Sequence, residues 1–178
     1  MDRFIKYFLF LLLILLLFSC SAHKKNTYNE HKPLPQPGST VHNQVVDPLQ
    51  AESSNQRRII VQHAIKSLGL PYKWGGQSPQ TGFDCSGLIV YTHQKADIII
   101  PRTAKAQFDN GTALSKKNLK IGDLIFFKTP KKNKIYHVAI YIGEDMLVHA
   151  PGKGRKVAYG YMNTPYFKKH YAGSRSYL

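Results

Sequence analysis

The pattern of apolar residues changes near Ile121, and this change constrains the fold more than any other feature of the chain. Before it, RRIIVQHAIKSLG, which begins at Arg57, places its apolar residues at helical spacing and stops at Gly69. CSGLIVYTHQKA predicts a second helix with Asp84 as its N-cap, and PRTAKAQF predicts a short third helix. The first half of the folded domain is therefore expected to be helical.

After Ile121 the apolar segments become short and rich in β-branched and aromatic residues, and turn residues separate them. These segments are DLIFFKT, YHVAIYIG, MLVHAP and KVAYGYM. Helices followed by strands predict an α+β domain in which N-terminal helices pack on a C-terminal antiparallel sheet.

The N-terminus, residues 1–19, has the layout of a secretory signal peptide. Arg3 and Lys6 precede an apolar run from Phe8 to Phe18, which is shorter than the roughly 20 residues that a helix needs to span a bilayer. The run ends in LFSC, which resembles a bacterial lipobox, so we expect Cys20 to be lipidated. Plain secretion and an uncleaved anchor are the alternatives. Lipidation would hold the chain to a membrane without spanning it.

Residues 20–56 follow the predicted signal peptide and begin with the lipidated Cys20. They are rich in Asn, Gln, Ser, Pro, His and Lys and show no apolar periodicity, so they predict a disordered tether. The folded domain is expected over residues 57–178, a length that suits a single domain.

The chain carries a formal net charge of +15, and its excess of cations is mostly lysine. Nucleic acid is one partner that so basic a surface can bind. Export from the cytoplasm instead favours anionic polymers of the cell envelope or lipid headgroups, so we expect no nucleic-acid partner. Charge alone does not choose between the polymers and the lipids.

Cys85 is left without an intramolecular partner if Cys20 is lipidated, because the chain has only two cysteines. It directly follows the predicted N-cap of the second helix. Unpaired backbone N–H groups and the helix dipole at such a position lower the pKa of a thiol from its usual value near about 8.5. The position therefore suits a nucleophile, although a buried, inert thiol would fit it too.

His137 and His149 stand apart from the other histidines because they flank the turn signal 143–145. In a hairpin whose register is centred on Gly143, the two side chains lie opposite each other on one face, with Cβ atoms about 5 Å apart. One ring can then take the thiol proton while the other holds the first ring in place. Two alternatives are a pair of satisfied polar residues at a sheet edge and a zinc site formed with Cys85, which lacks CxxC or HxxxH spacing.

Several of these segments together resemble the NlpC/P60 family of cell-wall cysteine peptidases. They are FDCSGLIVY, HVAIYIG, the VHA that contains His149, YKWGG, IPRTA, GDLIFF and the closing YAGSRSYL. The resemblance covers the chain from about Arg57 to Leu178. It implies a papain-like α+β fold and hydrolysis of peptide stems in peptidoglycan, with no metal ion or organic cofactor.

The resemblance also implies a role for each residue of the site. Cys85 matches the nucleophile, His137 the base, and His149 the polar residue that orients His137. Tyr72 matches a tyrosine beside the catalytic cysteine, where it would support the oxyanion site together with backbone N–H groups at the start of the helix.

Four further residues are expected to contact the substrate. Asp84 and Ser86 match positions near the cleft, and Trp74 and Arg102 are additional candidates. The alternative for Trp74 is packing beneath its loop, and the alternative for Arg102 is a structural ion pair.

A lipid anchor, a tether and one catalytic domain are also the layout of lipoprotein murein endopeptidases in this family. Ser21, which follows Cys20, favours the outer membrane facing the periplasm by analogy with such lipoproteins. We expect no N-terminal SH3-like domain of the kind that selects stems with a free N-terminus in some members. Cleavage of cross-links or of longer stems therefore remains open, and we expect a monomer.

Two other functions are compatible with the sequence. One is transamidase or acyltransferase chemistry on the same three residues, and the other is a non-catalytic lipoprotein that binds the cell wall.

Overall fold

The computed structural model describes residues 47–129 and 134–178. The predicted signal peptide, the predicted lipidation site at Cys20 and the first part of the predicted tether lie outside the described residues. Within the two described ranges, every helix is too short or too polar to cross a bilayer.

Four helices and eight strands make up the described domain. The helices are α1 (Pro48–Lys66), α2 (Cys85–Gln94), α3 (Ala104–Asn110) and α4 (Pro165–His170). The strands are β1 (Gln77–Ser78), β2 (Gly82–Phe83), β3 (Thr112–Leu114), β4 (Leu124–Lys128), β5 (Ile135–Gly143), β6 (Met146–His149), β7 (Ala158–Tyr161) and β8 (Tyr171–Ser176). A short 3₁₀ turn lies at Lys116–Asn118.

Helix α1 begins nine residues earlier than the sequence predicts. Asp47 caps it, because its side chain accepts a hydrogen bond from the backbone N–H of Leu49, and Pro48 occupies the first helical turn. Residues 48–56, which the sequence assigns to the tether, are therefore helical. They were overlooked because they are polar and mostly exposed, so they carry no apolar periodicity.

Strands β3 to β8 form one antiparallel sheet in the order β3-β8-β4-β5-β6-β7. A small separate hairpin, β1-β2, precedes α2. The predicted α+β class, with helices that lead and an antiparallel sheet that follows, is confirmed.

The central strands are buried on both faces. One face, with Val138 and Ile140 of β5, packs against apolar residues of α1 and α2. The opposite face, with Ala139 of β5 and Leu147 of β6, packs against Phe167 of α4. Alternate residues of β5 thus pack into two different apolar layers, because successive side chains of a strand point to opposite faces of the sheet.

The β5–β6 hairpin differs in register from the sequence prediction by two residues. Glu144 and Asp145 both have positive φ, so they form a two-residue turn between the paired residues Gly143 and Met146. An irregularity follows, after which Tyr141 pairs with Leu147. Continuing this register places His149 beside Ala139 rather than directly opposite His137. A shift of two residues keeps both histidines on one face, so they meet diagonally.

Candidate active site

The start of α2 is held by a single side chain. Asp84 is the N-cap, and its Oδ1 accepts a hydrogen bond of 2.6 Å from the backbone N–H of Gly87. A side chain at Gly87 would collide with the carbonyl oxygen of Gly76, so glycine here lets the preceding loop pack against the helix. This packing fixes Cys85, the first residue of α2.

Cys85 is partly buried, and α2 packs against β5. Burial raises the pKa of the Cys85 thiol, and the negative charge of Asp84 raises this pKa further. Backbone N–H groups of Val138, Ser86 and Cys85 itself oppose this rise in pKa. The sequence-based expectation of a lowered pKa is therefore wrong, because burial outweighs the helix terminus. Cys85 rests as a neutral thiol.

His137 and His149 are hydrogen-bonded to each other. Nε2 of His137 lies 2.9 Å from Nδ1 of His149, and the two rings are nearly perpendicular at 76°. Burial lowers the pKa of His137 to about 3, with further contributions from His149 and Arg155. Burial and the charge of Arg155 lower the pKa of His149 to about 4. Both rings are therefore neutral at neutral pH.

This contact restricts the positions of the protons on the two rings. If Nε2 of His137 donates its hydrogen to Nδ1 of His149, Nδ1 of His137 carries a free lone pair. The backbone N–H of Val138, the residue after His137, reaches the Cys85 thiol. The arrangement can therefore present an unprotonated ring nitrogen beside a thiol, which is what a general base requires.

Aromatic side chains enclose the histidine pair. The Phe127 ring lies 5.8 Å from the His137 ring, and the Phe167 ring lies 5.4 Å from the His149 ring. A Cβ atom added at Gly160 would lie 2.9 Å from Phe167 and 3.4 Å from Nε2 of His149. Sequence reasoning missed these three neighbours. The one signal for them was a glycine inside the strand pattern AYGY, which indicates a close approach.

Tyr72 lies in the loop between α1 and β1. Its backbone N–H donates to the carbonyl oxygen of Arg155 at 2.9 Å. Tyr72 also pairs with Phe83 in a single parallel β-bridge. Burial raises the pKa of Tyr72, and the charges of Cys85 and Asp84 raise this pKa further. The hydroxyl therefore stays protonated and can donate a hydrogen bond near Cys85.

Asp84, Ser86 and Arg102 form one polar network. Nη2 of Arg102 lies 2.7 Å from Oδ2 of Asp84, and Nη1 lies 3.0 Å from both Oδ1 of Asp84 and Oγ of Ser86. Burial alone would raise the pKa of Asp84, but hydrogen bonds from Arg102, Gly87 and Gly75 lower it. Arg102 thus forms the ion pair that was one of its two predicted alternatives. Its guanidinium stays about one-third exposed, whereas Asp84 and Ser86 are buried.

Trp74 is 85% exposed, so the alternative of packing beneath its loop is wrong. It lies two residues after Tyr72 on the same loop. Throughout residues 47–129 and 134–178, no three or more His, Cys, Asp or Glu side chains are grouped so as to hold a metal ion.

Comparison with known proteins finds relatives of the part of the chain that contains the candidate active site. Residues 69–176 match the NlpC/P60 family. The chain is 33% identical over 134 residues to murein DD-endopeptidase MepH of Escherichia coli, a match that covers 74% of this chain and 49% of the relative. It is 45% identical over 112 residues to gamma-D-glutamyl-L-lysine dipeptidyl-peptidase of Bacillus cereus, covering 62% of this chain and 33% of the relative. The chain thus spans half or less of the length of these two relatives.

A solved structure agrees with these matches. The crystal structure of an NlpC/P60 family protein from Bacillus cereus superposes with a TM-score of 0.65 at 41% sequence identity. The match covers 68% of this chain and 40% of that protein. The predicted papain-like NlpC/P60 fold is therefore confirmed.

Proposed function

The chain belongs to the NlpC/P60 family, and from this premise we propose that it is a cysteine peptidase that hydrolyses amide bonds in the peptide stems or cross-links of peptidoglycan. The observation that carries the proposal is the hydrogen bond between His137 and His149 beside the Cys85 thiol. A nucleophile, a base and a residue that orients the base are the three parts of covalent hydrolysis. The relative named a murein DD-endopeptidase supports the choice of substrate class.

The first step converts the neutral thiol into a nucleophile. Nδ1 of His137 takes the proton from Sγ of Cys85 as the sulfur attacks the carbonyl carbon of the scissile amide. His137 has a lowered pKa, so it passes the proton on readily to the nitrogen of the leaving amine. The carbon–nitrogen bond breaks and leaves a thioester on Cys85.

The second step returns the enzyme to its resting state. His137, neutral again, takes a proton from water, whose oxygen attacks the thioester carbonyl. The carbon–sulfur bond breaks, the proton returns to Sγ of Cys85, and the acid product leaves. No metal ion or organic cofactor enters either step.

Negative charge on the carbonyl oxygen must be stabilised in both steps. We assign this role to the backbone N–H groups at the start of α2 and to the hydroxyl of Tyr72. Tyr72 is suited to it because its raised pKa keeps the hydroxyl protonated near Cys85.

The polar network and the exposed tryptophan are assigned to substrate contacts. The guanidinium of Arg102 is partly exposed, while Asp84 and Ser86 hold it by hydrogen bonds. Asp84 and Ser86 would therefore act chiefly by fixing Arg102 and the start of α2. Trp74 offers an exposed ring next to Gly75, whose backbone N–H donates to Asp84.

The proposed hydrolysis is tested on purified murein with the full chain and its Cys85→Ala variant. Mass spectrometry of the released fragments should show new peptide termini with the wild type and none with the variant. Fragments that are the same with both proteins would overturn the proposal. Added amines provide a control for transamidation, because amine-containing products would replace hydrolysis products.

We further propose that the chain is a lipoprotein anchored through Cys20, with the outer membrane facing the periplasm as its location. The motif LFSC behind the short apolar run supports this assignment. Intact-mass measurement of the protein purified from membranes should show loss of residues 1–19 and the added mass of acyl chains. Cys20→Ser should abolish both changes, and an unmodified N-terminus in the wild type would contradict the anchor.

A further inference from the structure

Two loops join beside the candidate active site. The N–H of Gly69 donates to the carbonyl of Val157 at 2.9 Å, and the N–H of Val157 donates to the carbonyl of Leu70 at 2.8 Å. The N–H of Tyr72 completes the pairing with the carbonyl of Arg155 at 2.9 Å. Residues 69–76 and 151–157 are thereby joined into one surface.

This surface carries four exposed cations, Lys73, Lys153, Arg155 and Lys156, which we call the basic rim. Neither loop contains an Asp or a Glu. The salt bridges found among the described residues join other cations to Asp84, Asp109 and Asp123. The rim thus presents positive charge that the described part of the chain leaves without an acidic partner.

Arg155 links the basic rim to the candidate catalytic residues. Its Nη2 donates to the carbonyl of Pro151 at 3.0 Å, two residues after His149, so the guanidinium folds back over its own loop. Its backbone carbonyl holds Tyr72. The charge of Arg155 also lowers the pKa of both His137 and His149.

We propose that the basic rim binds a free carboxylate of the substrate, so that stem peptides with free carboxylates are cleaved in preference to the same peptides with carboxamides. This inference rests on the proposed peptidase function and specifies its substrate class. A stem peptide is anionic because its acidic residues and its C-terminus carry carboxylates. Arginine and lysine bind such groups through charge-assisted hydrogen bonds, which an uncharged amide does not replace.

Trp74 gives a direct readout of binding at the basic rim. It is the only tryptophan of the chain and follows Lys73 on the same loop. Because its ring is 85% exposed, a ligand that settles on the rim should change its fluorescence. This signal does not depend on catalysis.

The experiment compares two synthetic stem peptides that differ only in carboxylates or carboxamides. They are titrated into the full chain carrying Cys85→Ala, with Trp74 fluorescence as the readout, and then used as substrates of the full chain with Cys85 intact. Arg155→Gln removes the rim charge that lowers the pKa of both histidines, and Arg155→Lys retains a charge. Lys117→Gln is the matched control, since Lys117 is an exposed cation beside the β3 edge of the sheet, at the far end from β7.

We expect Arg155→Gln to weaken binding of the free-carboxylate peptide about tenfold and to change binding of the amidated peptide less than about twofold. Arg155→Lys should recover most of the loss, and Lys117→Gln should resemble the parent protein. Added salt should weaken binding of the free-carboxylate peptide alone.

Different results would overturn the basic rim and the proposed peptidase activity. Equal binding of both peptides, or an equal loss for both in Arg155→Gln, would overturn the basic rim even if the enzyme is active. Selective binding without any cleavage by the full chain would support the rim and count against the peptidase.

Discussion

Nε2 of His137 lies 2.9 Å from Nδ1 of His149, and this contact joins the neighbouring strands β5 and β6 beside Cys85. In the proposed mechanism His149 accepts a hydrogen bond from His137 and so keeps Nδ1 of His137 free to take a proton. The contact predicts that the hydrogen-bond acceptor at position 149 matters more than the imidazole itself.

His149→Leu should therefore lower kcat by roughly a hundredfold or more, because His137 loses the partner that fixes its tautomer. His149→Asn offers a side-chain oxygen as acceptor and should retain much more activity. Steady-state kinetics on a soluble stem peptide measure both variants, and KM should change little in either. Equal losses in the two variants would contradict a role as hydrogen-bond acceptor.

Gly160 gives a second test, since it makes room for the histidine pair. In Gly160→Ala the new methyl group would overlap with the ring of Phe167, so either Phe167 or His149 must move. We expect kcat to fall about tenfold, whereas the midpoint of thermal unfolding should change little.

Phe167→Leu supplies the matched control for this substitution, because the atoms that an added Cβ would meet are at the far end of the phenylalanine ring. The double variant Gly160→Ala, Phe167→Leu should recover kcat relative to Gly160→Ala alone. A double-mutant cycle with no interaction between the two positions would show that the clash is not the cause.

Charges beside Cys85 predict how its reactivity responds to substitution. The negative charge of Asp84 raises the pKa of the Cys85 thiol, so Asp84→Asn should lower this pKa and speed alkylation at neutral pH. Arg102→Gln removes a nearby positive charge and should raise the pKa of Cys85 and slow alkylation. The measurement is the rate of reaction with iodoacetamide as a function of pH.

Lys105→Gln is the control for these alkylation rates, because it removes a cation that pairs with Asp109 on the exposed side of α3. Its pH profile should match that of the wild type. If Asp84→Asn and Arg102→Gln moved the profile in the same direction, loss of local structure rather than charge would explain both.

The sequence predicted the parts of this site that depend on neighbours along the chain. The Asp84 cap, the helix that starts at Cys85 and the shared face of His137 and His149 all follow from local periodicity and turn residues. These features need only the spacing of a few consecutive residues, which sequence patterns report directly.

The parts that were missed depend on contacts between distant segments. Strand β8 lies between β3 and β4 although it is the last element of the chain, and no local pattern reveals such an insertion. The turn signal at residues 143–145 is visible in the sequence, but the register of the β5–β6 hairpin also depends on the positive φ of Glu144 and Asp145 and on an irregularity between Tyr141 and Gly143, which residue spacing does not reveal. The raised pKa of Cys85 follows from burial, which is a property of the assembled domain.

The most buried histidine of residues 47–129 and 134–178 lies outside the candidate active site and predicts how stability depends on pH. His93 is fully buried on α2, where its Nδ1 contacts the carbonyl oxygen of Ile89 at 2.9 Å. Burial lowers the pKa of His93 to about 4 from a usual value of 6.5. Below pH 6.5 the unfolded chain binds a proton that the folded chain excludes, so stability falls with pH until the folded pKa is reached.

We therefore expect the contribution of neutral His93 to the free energy of unfolding to be fully present above pH 6.5. This contribution should be lost progressively as the pH falls from 6.5 to about 4. At pH 5 the loss from this one residue should be on the order of 2 kcal/mol. His93→Gln, which cannot titrate, should reduce the difference in unfolding free energy between pH 7 and pH 5 by about this amount, as measured by urea denaturation. His63→Gln is the control, because His63 is only partly buried, and its substitution should leave most of the pH dependence intact. An undiminished pH dependence in His93→Gln would show that His93 is not the group whose protonation destabilises the fold.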